Sequence, residues 1–402
     1  MRILQIISYG YQAGGAEKSV LLLKEHLSQR GHEVMVVSSD HNNAGESAKH
    51  FSDVEFSEID SPEAGLTTKA IRHLWHRPSY RTIKNAVSKF KPDVVHFHVM
   101  GQLSPSALFA IGRTPGVLTV HGPEEYVSNI LEWGFPEHLF KNGRVAVSNL
   151  TILGLGYYLY FRYVQRPIYV RGFRRHVRAL VAPSQYMSNV LKEEHYGVPI
   201  HHIYNGIELP RPQHLPCKRR LLYVGRLEHV KGVDVLLDAM LRVVAQLPDV
   251  HLSIVGDGAA RPQLETFVAK HNLTSYVTFC GWLKGPAVSG QYAKATAVVI
   301  PSVWPENLPT VCIEALAVGR PVIGTRSGGI PELIRDGATG QTVAVGSADE
   351  LAAAIIALLS RSDLADMATA CSVSMQDFKV TTFIRKLERL YRQIINTSME
   401  EI

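Results

Sequence analysis

At 402 residues, with 46% hydrophobic and 19% charged residues, the chain is globular and too long for one ordinary core, so two domains are expected. Its formal net charge of +6 and isoelectric point near 9.0 suit anionic ligands or an anionic membrane surface. No Lys/Arg run or nucleic-acid module is present, which argues against a nucleic-acid partner. Four cysteines, Cys217, Cys280, Cys312 and Cys371, stand far apart with no Cys-x-x-Cys pair; this weighs against a disulfide framework and a zinc site and suggests free thiols in a reducing compartment.

The first element is an apolar strand from Arg2 to Ile7, expected to be buried structure rather than a signal peptide. Gly14 and Gly15 follow. A helix comes next, with Ala16, Val20, Leu23 and Leu27 on one face, ended by Gly31 before a strand at Val34 to Val37. Strand, glycine loop, helix and strand make a βαβ unit. Such glycine loops cradle phosphates because backbone N–H groups come close to the ligand; the alternative for Gly14 and Gly15 is tight packing of helix on strand. The run Gly14-Gly15-Ala16-Glu17-Lys18-Ser19 lacks the P-loop spacing, and no strand carries Gly-x-Gly-x-x-Gly, which weakens a nicotinamide reading.

Strands at Val94 to Phe97, Gly116 to Val120 and Ala179 to Ala182 continue the alternation. His121 directly follows one of them, where ligand crevices of α/β proteins lie, and can donate or accept a hydrogen bond near neutrality. His96 and His98 end another strand and are equally eligible on pattern. The uncharged stretch Val145 to Phe161 is barely of bilayer length and contains Ser148, Asn149, Thr151, Gly154 and Gly156, so it is not expected to span a membrane. From Gly154 to Arg178 aromatics interleave with Arg162, Arg166, Arg171, Arg174, Arg175 and Arg178, and no acid occurs. Such a face can touch anionic lipid headgroups. A helix that packs its aromatics inside the first domain is the reading preferred on sequence.

Glu208 to Lys218, with Pro210, Pro212 and Pro216, has the composition of a stiff linker. The opening pattern then repeats: a strand at Arg220 to Val224, a loop from Gly225 to Gly232, a helix face at Val233, Leu236, Met240 and Val244, and a strand at His251 to Val255. Strands at Val277 to Phe279, Ala297 to Ile300 and Pro321 to Ile323 follow. Near-continuous apolar strands indicate parallel sheets covered on both faces. The fold class is therefore α/β, two doubly wound parallel-sheet (Rossmann-like) domains facing a central cleft. The expected division is 1–208, a linker 209–217, 218–380, and a helix within 381–402. That helix has apolar positions Ile384, Leu387, Leu390, Tyr391 and Ile394 and is expected to return to the first domain.

In the loop Gly225 to Gly232, Arg226 and Lys231 present a planar fork and a point charge suited to a diphosphate; the alternative is solvated loop cations. Glu306 and Glu314 stand eight positions apart, separated by Asn307-Leu308-Pro309-Thr310, which opens a helix. Pro309 suits a first-turn position. Glu306 is then on the loop and Glu314 one turn inside the helix. Two carboxylates on different elements can accept from two sets of hydroxyls, with unpaired first-turn amides available to an anion between them. A nucleotide sugar fits this arrangement, and two solvated acids on a surface helix are the alternative. The turns Val255-Gly256-Asp257-Gly258 and Gly328-Gly329-Ile330-Pro331-Glu332 can line the same crevice.

At this point the sequence resembles the retaining GT-B-fold glycosyltransferases of the family-4 type, glycosyl transferases group 1, over nearly its whole length. The matching positions are Gly14 to Lys18; Asn205-Gly206-Ile207-Glu208; Gly225, Arg226, Lys231 and Gly232; Glu306 and Glu314 followed by Ala315, Gly319, Pro321 and Val322; and Gly328, Gly329 and Glu332. His229 and Glu208 depart from commoner residues without removing a proposed ligand. The resemblance implies that Arg226 and Lys231 hold the donor diphosphate, Glu314 the ribose hydroxyls and Glu306 the donor hexose. Asn307, Leu308, Pro309 and Thr310 would present backbone amides, Gly14 and Gly15 would approach the phosphates, and His121 would hydrogen-bond the sugar near the reacting carbon. His121, Glu306, Arg226 and Lys231 are the expected catalytic set. It further implies transfer of a hexose, with retention, from a UDP-linked donor to a carbohydrate or lipid-linked acceptor in carbohydrate biosynthesis. Neither a metal nor another cofactor is expected. The expected location is cytoplasmic, with peripheral contact at the inner membrane face. A nucleotide-sugar epimerase and a catalytically silent sugar-nucleotide-binding protein are the alternatives on the same fold.

Overall fold

Arg2–Tyr9 (β1) places Ile3, Leu4, Ile6 and Ile7 wholly out of solvent, so both of its faces are covered, as an apolar run without alternation requires. The computed structural model describes residues 1–11, 14–40, 50–59, 66–100, 103–122, 140–141, 144–145, 150–216 and 219–400. Cys217 and residues 146–149 of the uncharged stretch Val145 to Phe161 lie outside the described residues. The chain forms two compact units, Met1–Gly206 with Val380–Ile402, and Ile207–Lys379.

In unit 1, β1 is followed by Glu33–Ser39 (β2), Val54–Phe56 (β3), Val94–Phe97 (β4) and Gly116–Thr119 (β5). A short antiparallel pair, Phe140–Lys141 (β6) and Arg144–Val145 (β7), precedes Val177–Ala182 (β8) and Ile200–His202 (β9). Among the described residues the main sheet has seven strands in the order β3-β2-β1-β4-β5-β8-β9, and the pairings in it are parallel. On one face Leu4, Phe97, Leu118 and Leu180 pack with Tyr169 and Phe173. On the other, Ile3, Leu23, Val94 and Val117 pack against Phe383, Leu387, Tyr391 and Ile394. These last belong to the helix Val380–Glu400, which thus returns to the first sheet. Glu388 of that helix, 8% exposed, accepts from Arg30 at 2.8 Å and meets His32 Nε2 at 2.7 Å.

Unit 2 contains Arg220–Val224 (β10), His251–Val255 (β11), Val277–Gly281 (β12), Ala297–Ile300 (β13), Val322–Thr325 (β14) and Gly340–Val343 (β15). They form a sheet in the order β12-β11-β10-β13-β14-β15, again with parallel pairings. The chain enters and leaves this unit side by side, since Ile207 and Lys379 pair. The proline-bearing segment expected as a linker is held onto unit 2 by Arg320, a guanidinium with no solvent exposure. Arg320 donates to the carbonyls of Gln213 at 3.1 Å, His214 at 2.9 Å and Tyr292 at 2.9 Å.

In each sheet the strand order reverses beside the unit's first strand, between β1 and β4 and between β10 and β13. Outside the carboxyl ends of strands at such a switch point, neighbouring loops diverge and leave a crevice.

Candidate active site

The loop after β10 and the loop after β13 flank the switch point of unit 2, and they carry Lys231 and Glu306. Lys231 ends a 3₁₀ turn, His229–Lys231, and Gly232 follows with φ of 65°. A side chain at Gly232 would bring Cβ to 2.1 Å from the Pro301 carbonyl oxygen, so only glycine lets the two loops approach this closely. The Val303 amide donates to the Val230 carbonyl at 2.9 Å and joins them further. Lys231 Nζ then meets Glu306 Oε1 at 2.6 Å, and the Ser302 hydroxyl donates to the same oxygen at 2.6 Å. The two charged side chains are 21% and 17% exposed, so their attraction is only partly screened.

The backbone of Glu306 is clamped from the other side. The Gly329 amide donates to the Glu306 carbonyl at 2.6 Å, and a Cβ on Gly328 would come within 2.0 Å of that oxygen. The later glycine turn therefore holds Glu306 in place. Asn307, Leu308 and Pro309 lead from it into the helix Thr310–Ala317. Pro309 occupies the cap position with φ of −67° and ψ of 111°, a correction to the first-turn placement; the chain is still extended there and helical geometry starts at Thr310. Glu314 lies one turn inside that helix. Its Oε2 accepts from the buried Tyr292 hydroxyl at 3.0 Å. Burial first, and the Glu314 carboxylate second, hold the Tyr292 phenol well above its ordinary pKa, so it remains a donor.

Arg226 stands differently. Its side chain is 63% exposed and pairs with Glu228 at 2.7 Å. Its backbone is fixed, because the Tyr223 hydroxyl donates to the Arg226 carbonyl at 2.8 Å. The loop is also bonded to the turn after β11: the Gly225 amide to the Val255 carbonyl at 3.0 Å, and the Leu227 amide to the Asp257 carbonyl at 2.9 Å. Val255 to Gly258 thus buttresses the cation-bearing loop.

In unit 1, Gly14 caps the helix Gly15–Gln29 after β1. Nothing lies within 4 Å of the place a Gly15 Cβ would take, so helix–strand packing does not require glycine there. The nearby Glu17 is 4% exposed and its carboxyl is raised by burial, although the Glu17 and Gly14 amides oppose the shift. His121 follows β5, and its Nε2 meets His98 Nδ1 at 3.1 Å. The structure separates the three eligible histidines. His96 is wholly buried and bonded to the Tyr391 hydroxyl at 2.6 Å and the Thr119 hydroxyl at 2.7 Å, which makes it a structural group. His98 is also wholly buried, whereas His121 keeps some exposure. Burial lowers the His121 pKa to about 4 and the His96 pKa to about 3, and drives His98 well down. All three imidazoles are neutral at pH 7, so each has one donor and one acceptor nitrogen.

The structure thus brings Lys231 to Glu306, places Asn307 to Glu314 directly beyond, sets Arg226 on the same loop as Lys231, and puts Gly14, Gly15 and His121 at strand ends of the other unit. Sequence reasoning passed over Tyr292, Ser302 and Tyr223. Tyr292 lies in no recognisable motif, Ser302 stands just ahead of Glu306 in the paired-glutamate stretch with no role assigned to it, and Tyr223 appeared only as an apolar strand position. Arg320 stood inside the quoted glutamate signature with no polar partner to suggest its role.

Two family models match the chain. One, described as glycosyl transferases group 1, covers residues 218–361; the other, glycosyltransferase family 4, covers 13–211. The α-D-kanosaminyltransferase of Streptomyces kanamyceticus is 30% identical over 43% of this chain and 45% of its own length. The chain spans about half the length of the first curated relatives it matches. The glycogen synthase of Mycobacterium tuberculosis is 28% identical over 89% of this chain and 86% of that protein. Among solved structures, Anabaena HepE in complex with UDP superposes with a TM-score of 0.70 at 19% identity, covering 98% of this chain and 100% of that one.

Proposed function

We propose, since the chain has the GT-B fold and belongs to the group 1, family-4 type of glycosyltransferases, that it moves a hexose from a nucleotide-diphosphate sugar to an acceptor hydroxyl, with retention and without a metal. The observation that carries this reading is the Lys231–Glu306 contact of 2.6 Å at the switch point of unit 2. The bond from the anomeric carbon to the diphosphate oxygen breaks, the bond to the acceptor oxygen forms, and the acceptor proton leaves with the diphosphate or to solvent. Negative charge grows on the departing phosphate as this happens. Lys231, with Arg226 swung off Glu228, meets that charge and stabilises the transition state more than the bound donor. Glu306, released from Lys231, accepts from hexose hydroxyls, and Glu314 accepts from the ribose. His121, neutral and backed by His98, hydrogen-bonds the sugar. UDP in the structurally similar HepE supports a uridine nucleotide, and the acceptor is a carbohydrate or lipid-linked hydroxyl.

The test is a thermal-shift screen of UDP-, GDP- and ADP-hexoses, followed by transfer to candidate acceptors and NMR assignment of the anomeric proton. A UDP-hexose that raises the melting temperature and yields product of unchanged configuration is the expected result. Stabilisation by none of the donors removes the donor assignment, and an inverted product removes retention.

A further inference from the structure

We propose that unit 1 carries a docking surface for anionic bilayers, built from the helix Leu66–Leu74 and the run from Ile152 to His176. It does not depend on the transfer reading, and its test reads lipid binding alone.

Large apolar side chains stand in solvent along this run: Ile152 is 92% exposed, Leu155 39%, Leu159 44% and Tyr163 69%. Their spacing of three, four and four sets them along one side of the helix Ile152–Tyr160 and the π-helical turn Phe161–Gln165. They are not residues of a misplaced core face, because the same run has a separate buried side. Beyond the π turn Tyr169 is 7% exposed and Phe173 2%, both within the core of unit 1. The Tyr160 hydroxyl donates to the Ala70 carbonyl at 2.8 Å, and Gln165 Nε2 donates to the His73 carbonyl at 2.8 Å. The helix Leu66–Leu74 is thereby fixed alongside, and it brings two more exposed apolar groups, Ile71 at 66% and, just past its end, Trp75 at 39%.

Charge decides the occupant. Neither 66–75 nor 150–178 contains a single Asp or Glu. Arg162, Arg171 and Arg175 are exposed within the second stretch. An apolar row flanked by cations, with no acid between, is the composition that settles at the headgroup boundary: the apolar groups enter the acyl edge and the arginines meet phosphates. A second copy of the chain is disfavoured by the same arginines, which would face one another. Among the described residues no helix is long and apolar enough to cross a membrane, so the contact is with one leaflet only.

The experiment is flotation of the full chain with vesicles of phosphatidylcholine containing one third phosphatidylglycerol, and with phosphatidylcholine alone. Two variants accompany it, Leu155→Ser/Leu159→Ser/Tyr163→Ser and Arg162→Ala/Arg171→Ala/Arg175→Ala. Wild type is expected to float with the anionic vesicles and not with the neutral ones. The arginine variant is expected to lose on the order of a hundredfold in partition coefficient, from three surface charges. The apolar variant should lose about tenfold or more while its melting temperature is kept. If the apolar variant fails to fold, the arginine variant decides alone. Wild type that stays at the bottom with both vesicles, or variants that float as well as wild type, would overturn the proposal. So would a lipid-free dimer in light scattering that the apolar variant abolishes, which would assign the row to a second copy.

Discussion

Lys231 and Glu306 satisfy one another at 2.6 Å, and a phosphate oxygen entering the crevice must draw the ammonium away from the carboxylate. The exchange makes Lys231 matter more to a departing diphosphate than to folding. Lys231→Ala is expected to lower turnover roughly a hundredfold or more, with little change in melting temperature because Glu306 keeps the Ser302 hydroxyl. Turnover within a few-fold of wild type in a transfer assay would take Lys231 out of the diphosphate site. Glu314→Ala leaves the buried Tyr292 hydroxyl without its carboxylate. Calorimetric affinity for the nucleotide should fall about tenfold to a hundredfold, the cost of one buried polar partner; equal affinity in a folded variant would refute the ribose role. A third prediction concerns acid. His96, at about 3 when folded and 6.5 when free, binds a proton in the unfolded chain first, and His98 and His121 share that direction. Their contribution to stability is complete above pH 6.5 and is lost as pH falls toward 4. The slope reaches up to about 4 kcal/mol per pH unit if all three titrate together. Urea melts between pH 7 and 4.5 check this, and stability independent of pH over that range would contradict the buried neutral cluster. Lys231, Glu306 and Glu314 are legible in the sequence because charged residues at fixed places beside glycine turns carry a chemical meaning. Tyr292 is not, since its partner Glu314 is reached only through the folded chain; Ser302 stands four residues from Glu306, but a loop serine carries no local pattern of its own, and none separates His96 from His121.

The helix Val380–Glu400 reaches into the polar heart of unit 1 through Tyr391, whose hydroxyl meets His96 Nδ1. Tyr391→Phe keeps the ring and strands that nitrogen, so it is expected to cost about 1–3 kcal/mol. Denaturant melts of the variant measure it, and an unchanged midpoint would show the contact to be idle. Arg320 is the counterpart in unit 2, where one buried guanidinium ties the segment after Ile207 to the helix Pro286–Lys294 through carbonyls of both. Arg320→Met leaves those carbonyls short of donors and should destabilise by about 3 kcal/mol or more. The main strands are legible as unbroken apolar runs. β3, β9 and β15 escape notice for physical reasons: β3 and β9 are three-residue strands that keep partial exposure, and β15 begins with glycine and glutamine. The aromatic–arginine run divides in a way that composition cannot foretell, Tyr169 and Phe173 turning inward while Leu159 and Tyr163 stay outside.

For the molecule as a whole, transfer is expected to survive EDTA, because two loop cations can supply the charge a divalent ion supplies in other sugar transferases. Loss on chelation with rescue by Mg²⁺ or Mn²⁺ would overturn that expectation. The doubled architecture is legible from the two strand–loop–helix–strand openings, and the return of the final helix from its apolar stripe. The packing of the proline-bearing segment onto unit 2 is not, since it hangs on one arginine far along the chain. Unit 1 is coded in two pieces separated by roughly 170 residues of unit 2. On the ribosome the sheet face bearing Ile3, Val94 and Val117, with Leu23 of the first helix beside it, is therefore made well before Phe383, Leu387 and Tyr391, the side chains that cover it. At ordinary elongation rates the interval is on the order of ten to thirty seconds. Throughout it the unfinished first unit exposes a greasy surface to chaperones and to its neighbours on a polysome, and the unit translated second is the first able to finish folding.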